Sequence, residues 1–148
     1  MTSPRTLLNG WQIPAKKQLG QHFLRHKGVP DKIVKCAQIS PFDTVLEIGA
    51  GLGALTIPIA KKANWVIAVE PDRRITALLK TEIEAAGLTN IQIIDKDFLK
   101  LHITDLTEKP DQKLVVMGNL PYNISSQVLI QLVMARRHID RAVLMFQK

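Results

Sequence analysis

Short apolar runs alternate with helical patterns along most of the chain. Five runs are bounded by turn residues and are typical of strands buried on both faces: Thr44–Ile48, Val66–Glu70, Ile91–Asp95, Leu114–Gly118 and Ala142–Phe146. Helical patterns separate them at about 53–63, 72–87 and 124–137, and an earlier helix begins at Pro30. This alternation predicts an α/β fold with an open parallel sheet of about five strands joined by right-handed crossovers.

Local signals mark the ends of several predicted helices. Asp72 begins the middle helix and Gly87 ends it. Ser125 or Ser126 is expected to cap the last helix, and Cys36 is expected to face the core from the first. Residues 1–29 lack a clean period, so we predict an irregular arm over 1–29 and one domain over 30–148.

The composition is that of a globular domain. The chain has 148 residues, 46% of them hydrophobic, which is enough for one domain with a core and argues against disorder. Cys36 is the single cysteine, so no internal disulfide forms and we expect a reducing, cytoplasmic location. No apolar run approaches the ~20 residues of a membrane span, and the first residues form no apolar signal core.

The positive charge is concentrated near the start of the chain. The net charge is +7, and residues 1–35 supply +6 of it, with seven Lys and Arg residues against one acid. Such an arm favours an anionic partner, nucleic acid first. A solvated leader with no partner is the alternative interpretation of the same charge.

A glycine loop follows the first predicted strand, at the edge of the sheet where ligands of such folds bind. Gly49 and Gly51 allow a sharp turn and close approach of a ligand, and with Ala54 they fit a loose dinucleotide pattern. A tight turn without a ligand is the alternative. Glu70 ends the second strand, where a carboxylate accepts both hydroxyls of a ribose, so the two features together favour a nucleoside.

Two acids favour a methyl donor over a dinucleotide. Glu47 precedes the loop, where its charge would attract the sulfonium and amino groups of S-adenosylmethionine and gain nothing from a pyrophosphate. Asp97 follows the third strand and can accept a hydrogen bond from the adenine amino group, with Phe98 available for packing.

The fourth strand runs into Asn119, Leu120, Pro121 and Tyr122. A base amino group is a poor nucleophile, and the Asn119 side chain with the Leu120 carbonyl can supply two acceptors that polarise it. Pro121 stiffens the turn, and Tyr122 offers a face on which an extruded base stacks. The alternative is a turn that closes a strand, with Tyr122 in the core.

These motifs together resemble the small-subunit ribosomal RNA adenine N6,N6-dimethyltransferases, over roughly residues 15–148. The resemblance is carried by Glu70, Asp97 and three segments: Lys17–Leu24, Glu47–Gly53 and Gly118–Ser126. It implies a Rossmann-like class I methyltransferase that transfers methyl groups from S-adenosylmethionine to N6 of adjacent adenines in small-subunit rRNA during ribosome assembly.

The resemblance also implies a set of site residues. Donor contacts are expected from His22, Leu24, Glu47, Gly49, Gly51, Glu70, Asp97 and Asn119. Catalytic roles are expected for Asn119, Leu120, Pro121 and Tyr122, and contacts to rRNA phosphate for Lys16, Lys17 and Arg25. No metal site is expected, because the four histidines lack partner cysteines and a His-Glu-x-x-His pattern.

Relatives in this family continue beyond the fifth strand, with two more strands and a small helical domain. We therefore interpret the sequence as truncated before those parts, and expect exposed apolar surface and self-association. Three alternatives remain at this point: donor or RNA binding without turnover, a DNA adenine-N6 methyltransferase, and half of a nicotinamide-dependent oxidoreductase.

Overall fold

The computed structural model describes residues 28–146. Four α-helices and five strands occur in this part of the chain. Their bounds are α1 Val29–Cys36, β1 Thr44–Ile48, α2 Thr56–Ala60, β2 Trp65–Val69, α3 Arg73–Ala85, β3 Ile91–Ile94, β4 Leu114–Leu120, α4 Ser125–Met134 and β5 Ile139–Phe146. Short 3₁₀ turns lie at Phe98–Lys100, Ile103–Leu106, Tyr122–Ile124 and Arg136–His138.

The strands form one parallel sheet in the order β3-β2-β1-β4-β5. The predicted five-strand α/β fold is therefore confirmed. β1 and β4 are adjacent at the centre, and every residue of both is buried. β3 and β5 are the edges and are only partly buried, because each has a single neighbour.

Three strands extend beyond their predicted bounds, and β2 does so by one residue, beginning at Trp65. β4 reaches Leu120, so that Asn119 is still paired within the sheet, opposite Met145. β5 begins at Ile139, three residues earlier than predicted, because Asp140 and Arg141 interrupt the apolar run. An edge strand alternates in polarity, and the pattern for a fully buried strand misses its first residues.

The two faces of the sheet bury separate cores. Leu46 and Ile48 of β1 point to one face, where Val128 and Leu132 of α4 cover them. Val45 points to the other face, with side chains of α1 and of the α2 region. Because side chains alternate along a strand, Glu47 lies on the same face as Val45.

Most predicted helix ends are correct. The side chain of Asp72 accepts a hydrogen bond from the Arg74 N–H at 2.9 Å and begins α3. Gly87 follows the end of this helix with φ of +67°, and both predictions are confirmed.

Two local predictions are wrong. α4 has no side-chain cap, since the Tyr122–Ile124 turn runs directly into it and the Ser125 hydroxyl donates to the Tyr122 carbonyl at 2.9 Å. Cys36 is exposed, because Val34 and Ala37 take the buried positions beside it.

No helix of residues 28–146 is both long enough and apolar enough to cross a membrane.

Candidate active site

A cleft opens at the carboxyl ends of the central strands, as expected for this topology. Seven residues singled out from the sequence line it: Gly49, Gly51, Glu70, Asp97, Asn119, Leu120 and Pro121. The predicted packing residue Phe98 lines it as well. Five apolar lining residues were not predicted as part of the site: Ile48, Val69, Pro71, Ile75 and Ile124. No sequence signal distinguishes them, because apolar residues in strands and helices have the same pattern whether they line a cleft or pack in the core.

The glycine loop turns tightly around the end of β2. The Gly49 and Ala50 N–H groups donate to the Val69 carbonyl at 2.9 and 3.0 Å. Gly49 has φ of +76°, a conformation that favours glycine. A Cβ on Gly49 would lie 3.7 Å from the Asn119 carbonyl oxygen, so this loop passes directly beside the end of β4.

Glu70 holds the loop from the second strand. One carboxylate oxygen accepts the Gly51 N–H at 3.0 Å, and the other accepts the Asp72 N–H at 3.1 Å. The side chain is 4% exposed, and burial raises its pKa although the two N–H donors lower it. A carboxylate offers about four acceptor sites, so each oxygen can accept a further hydrogen bond from the cleft.

Glu47 differs from its expected placement. The carboxyl is 1% exposed and accepts a hydrogen bond from the buried Thr56 hydroxyl at 2.5 Å. It does not line the cleft; it is still paired within the sheet, opposite Ala68 and Met117, before the chain enters the glycine loop. Burial raises the pKa of Glu47 to about 8, the Thr56 hydrogen bond opposes this, and the charge of Glu70 adds to it. The carboxyl is therefore largely neutral near pH 7.

Asp97 and Phe98 close the cleft beyond β3. One Asp97 carboxylate oxygen accepts the Leu99 N–H at 3.0 Å and begins a 3₁₀ turn. Phe98 is 3% exposed and packs into the core beneath the cleft. The turn fixes the backbone at Asp97, and its second carboxylate oxygen can accept a hydrogen bond from a ligand.

The end of β4 brings the polar motif to the cleft. Asn119 is 9% exposed, and Leu120 is fully buried, with its side chain in the core. Tyr122 is 78% exposed, so the interpretation of Tyr122 as a core aromatic is wrong. A Cβ on Gly118 would lie 2.9 Å from the Ile48 carbonyl oxygen, so glycine permits the close approach of β4 to β1 here.

The predicted residues of the arm lie outside the described residues. They are His22 and Leu24, expected at the donor, and Lys16, Lys17 and Arg25, expected at rRNA phosphate.

The cleft combines apolar walls with acceptors at defined points. The walls suit a flat aromatic ring, and the two acids and one amide suit hydroxyl and amino groups. Among residues 28–146, no group of three or more His, Cys, Asp and Glu side chains could hold a metal ion. The arrangement of walls and acceptors therefore suits a nucleoside ligand.

Comparison with known proteins relates the chain to one family. The family described as "Ribosomal RNA adenine dimethylase" matches residues 13–148. A ribosomal RNA small subunit methyltransferase A from Desulforapulum autotrophicum is 49% identical over 148 residues, which is all of this chain and 51% of that protein. The chain spans about half the length of the curated relatives that it matches.

Two solved structures have a similar fold. A dimethyladenosine transferase from Plasmodium falciparum has a TM-score of 0.72 and 36% identity, covering 86% of this chain and 44% of that one. The 23S rRNA methyltransferase ErmE has a TM-score of 0.71 and 29% identity, covering 85% of this chain and 48% of that one. The predicted Rossmann-like class I methyltransferase fold is confirmed.

Proposed function

The chain belongs to the ribosomal RNA adenine dimethylase family, and from this premise we propose that it is the donor-binding half of a small-subunit rRNA adenine N6,N6-dimethyltransferase. The proposed reaction transfers methyl groups from S-adenosylmethionine to N6 of adjacent adenines. One observation carries the proposal: Glu70, Asp97 and Asn119, which come from three different strand ends, line the same cleft.

The residues present suit S-adenosylmethionine. Glu70 would accept the ribose hydroxyls, Asp97 would accept the adenine amino group, and Gly49 and Gly51 would let the donor lie close to the backbone. Glu47 would act on the donor from beneath the loop rather than by contact. When bound, the donor supplies an electrophilic methyl group whose leaving group is a neutral thioether.

The end of β4 would prepare the adenine amino group. The lone pair of this nitrogen is delocalised into the ring, and acceptors that bind its hydrogens make it more nucleophilic. The side-chain oxygen of Asn119 and the carbonyl of Leu120 would supply these acceptors, and Pro121 keeps the turn rigid. Tyr122 is exposed beside the cleft, where a base can stack on its ring. Catalysis is then mostly alignment and electrostatic polarisation.

The arm completes the proposed site. His22 and Leu24 would cover the donor, and Lys16, Lys17 and Arg25 would meet rRNA phosphate, so that rRNA affinity falls with added salt. The proposed substrate is a precursor of the small ribosomal subunit in the cytoplasm. We further propose that this chain self-associates through the exposed apolar residues of α4, which are Leu129, Ile130, Val133 and Met134.

The substitution Asn119→Ala tests the proposed chemistry. Loss of the side-chain acceptor removes polarisation of the amine, and methyl incorporation into immature small subunits is expected to fall by about 10²-fold or more. Binding of S-adenosylmethionine, measured by calorimetry, should fall much less. The exposed substitution Asn64→Ala, just before β2 and at the opposite end of the sheet from the cleft, is the matched control and should retain the rate of the unsubstituted chain.

Three outcomes of this assay separate the alternatives. Unchanged incorporation by Asn119→Ala would contradict the proposed chemistry. Donor binding without any incorporation by the unsubstituted chain would make it a binding module without turnover. Incorporation into adenine-containing DNA in preference to small-subunit rRNA would assign it to DNA methylation.

A further inference from the structure

Glu47 is an acid at a buried position where an apolar side chain would make the folded state more stable. It lies in the fully buried strand β1 and is 1% exposed. Removing a carboxyl from water costs free energy, and an apolar side chain of similar size would avoid that cost. Its position, two residues before Gly49, is directly beneath the glycine loop.

Thr56 is the hydrogen-bond partner of this acid. Its side chain is 0% exposed, and its hydroxyl donates to a Glu47 carboxylate oxygen at 2.5 Å. Thr56 is the first residue of α2, so the hydrogen bond joins the strand that enters the glycine loop to the helix that leaves it. Glu70 holds the middle of the same loop through the Gly51 N–H at 3.0 Å.

We propose that Thr56 is a positioning residue for the methyl donor: its hydroxyl orients the Glu47 carboxylate beneath the glycine loop, where the negative charge attracts the cationic donor. This inference rests on the proposed function, because the cationic donor is part of that proposal. Thr56 touches no reacting atom and acts through Glu47.

The surroundings of Glu47 leave Thr56 as its main polar partner among the described residues. Val45 and Met117, on the same face, are apolar, and so are the packed side chains of α1 and the α2 region. The charged group that acts on Glu47 is Glu70, which has the same sign. Without the Thr56 hydroxyl, ionisation of Glu47 would face both burial and repulsion from Glu70.

This arrangement links donor binding to a proton. The pKa of Glu47 is about 8, which is the net result of burial, which raises the pKa, and of the Thr56 hydrogen bond, which lowers it. A cationic donor favours the ionised carboxylate, so its affinity should increase as Glu47 loses its proton. Removing the hydroxyl raises the pKa of Glu47 further, so that the increase in donor affinity occurs at higher pH.

The test compares Thr56→Val with the unsubstituted full chain. Calorimetric titration with S-adenosylmethionine should give a ratio of dissociation constants near one at about pH 6, rising to about tenfold at about pH 8. The donor's own titration is common to both proteins and cancels in the ratio. Thr56→Ser keeps the hydroxyl and should restore the affinity.

Thr76→Val is the matched control, because Thr76 is 6% exposed and its hydroxyl donates to the Arg73 carbonyl within α3. It removes a largely buried hydroxyl outside the loop and should leave the ratio near one at every pH. A ratio for Thr56→Val that is the same at every pH would overturn the inference, because a purely structural role has that result.

A second measurement separates this inference from the proposed function. Titration of the Glu47 carboxyl carbon by NMR, in the donor-free chain, should show a midpoint near 8 that increases in Thr56→Val. Failure of the unsubstituted chain to bind donor would refute the proposed donor site, whereas equal midpoints in the two proteins would refute the role of Thr56.

Discussion

Glu47 and Glu70 are both glutamates beside the glycine loop, but they have different contacts. Glu70 points to the cleft and binds two backbone N–H groups. Glu47 binds one hydroxyl under complete burial. The two roles differ because Glu70 follows the last residue of β2, where the chain has left the sheet, whereas Glu47 is still paired within β1, opposite Ala68.

At the residue scale, Glu47 makes stability depend on pH. Its pKa is raised from 4.5 to about 8 in the folded protein, so the folded state holds a proton that the unfolded state loses first. The free energy of unfolding is therefore expected to fall as pH rises from about 4.5 to about 8, by on the order of a few kcal/mol. Chemical denaturation across this range measures the effect.

Glu47→Gln isolates this contribution because it is neutral at every pH. Glu70, whose pKa is also raised, is present in both proteins, so the difference between them reports the Glu47 proton together with the repulsion between Glu47 and Glu70. The exposed substitution Glu84→Gln is the control and should follow the unsubstituted chain. If the free energies of unfolding of the unsubstituted chain and of Glu47→Gln change in parallel with pH, Glu47 is not a buried carboxyl with a raised pKa.

At the scale of elements, α4 is apolar on two sides. Val128 and Leu132 face the core, and no residue of Ser125–Met134 carries a charge. Four further residues form an exposed stripe on the helix, which we call the α4 stripe: Leu129, Ile130, Val133 and Met134. An exposed apolar patch of this kind is typical of an association surface, so this stripe is the surface through which the chain is proposed to self-associate.

Met134→Glu tests that proposal. Met134 is 78% exposed, so a charge there costs little in the folded monomer but opposes burial of the α4 stripe against a second copy. Sedimentation velocity at several concentrations should show association of the unsubstituted chain and much less for the variant. Thr81→Glu adds the same charge at an exposed position of α3 and should still associate; a strictly monomeric unsubstituted chain would refute the proposal.

The apolar pattern of the sequence predicts four of the five strands well. Strands β1 to β4 follow from largely apolar runs, because strands covered on both faces have few polar positions, and the edge strand β3 has only one polar residue, Gln92. β5 is longer than predicted because Arg141, at its start, is held by the Ala37 and Gln38 carbonyls and by Asp43. Those partners are about 100 residues away in sequence, so no local pattern could indicate them.

At the scale of the whole molecule, the sheet topology and the packing of helices over its edge determine which residues meet in the cleft. Glu70, Asp97 and Asn119 were predictable because a parallel sheet gathers the carboxyl ends of its strands at one edge. The apolar walls from Pro71, Ile75 and Ile124, and the role of Thr56, depend on how helices pack over that edge and have no sequence signature. The face toward which Glu47 points likewise follows from the whole sheet.

Calorimetric titration of the chain with S-adenosylmethionine measures whether the donor binds in the cleft at Glu70. We expect saturable binding of one donor per chain and no binding of a nicotinamide dinucleotide at the same concentration. Glu70→Ala should weaken donor binding by at least about tenfold, while the exposed Glu84→Ala should not. Absence of saturable donor binding, or equal affinity for the dinucleotide, would contradict a binding site for the methyl donor in this cleft.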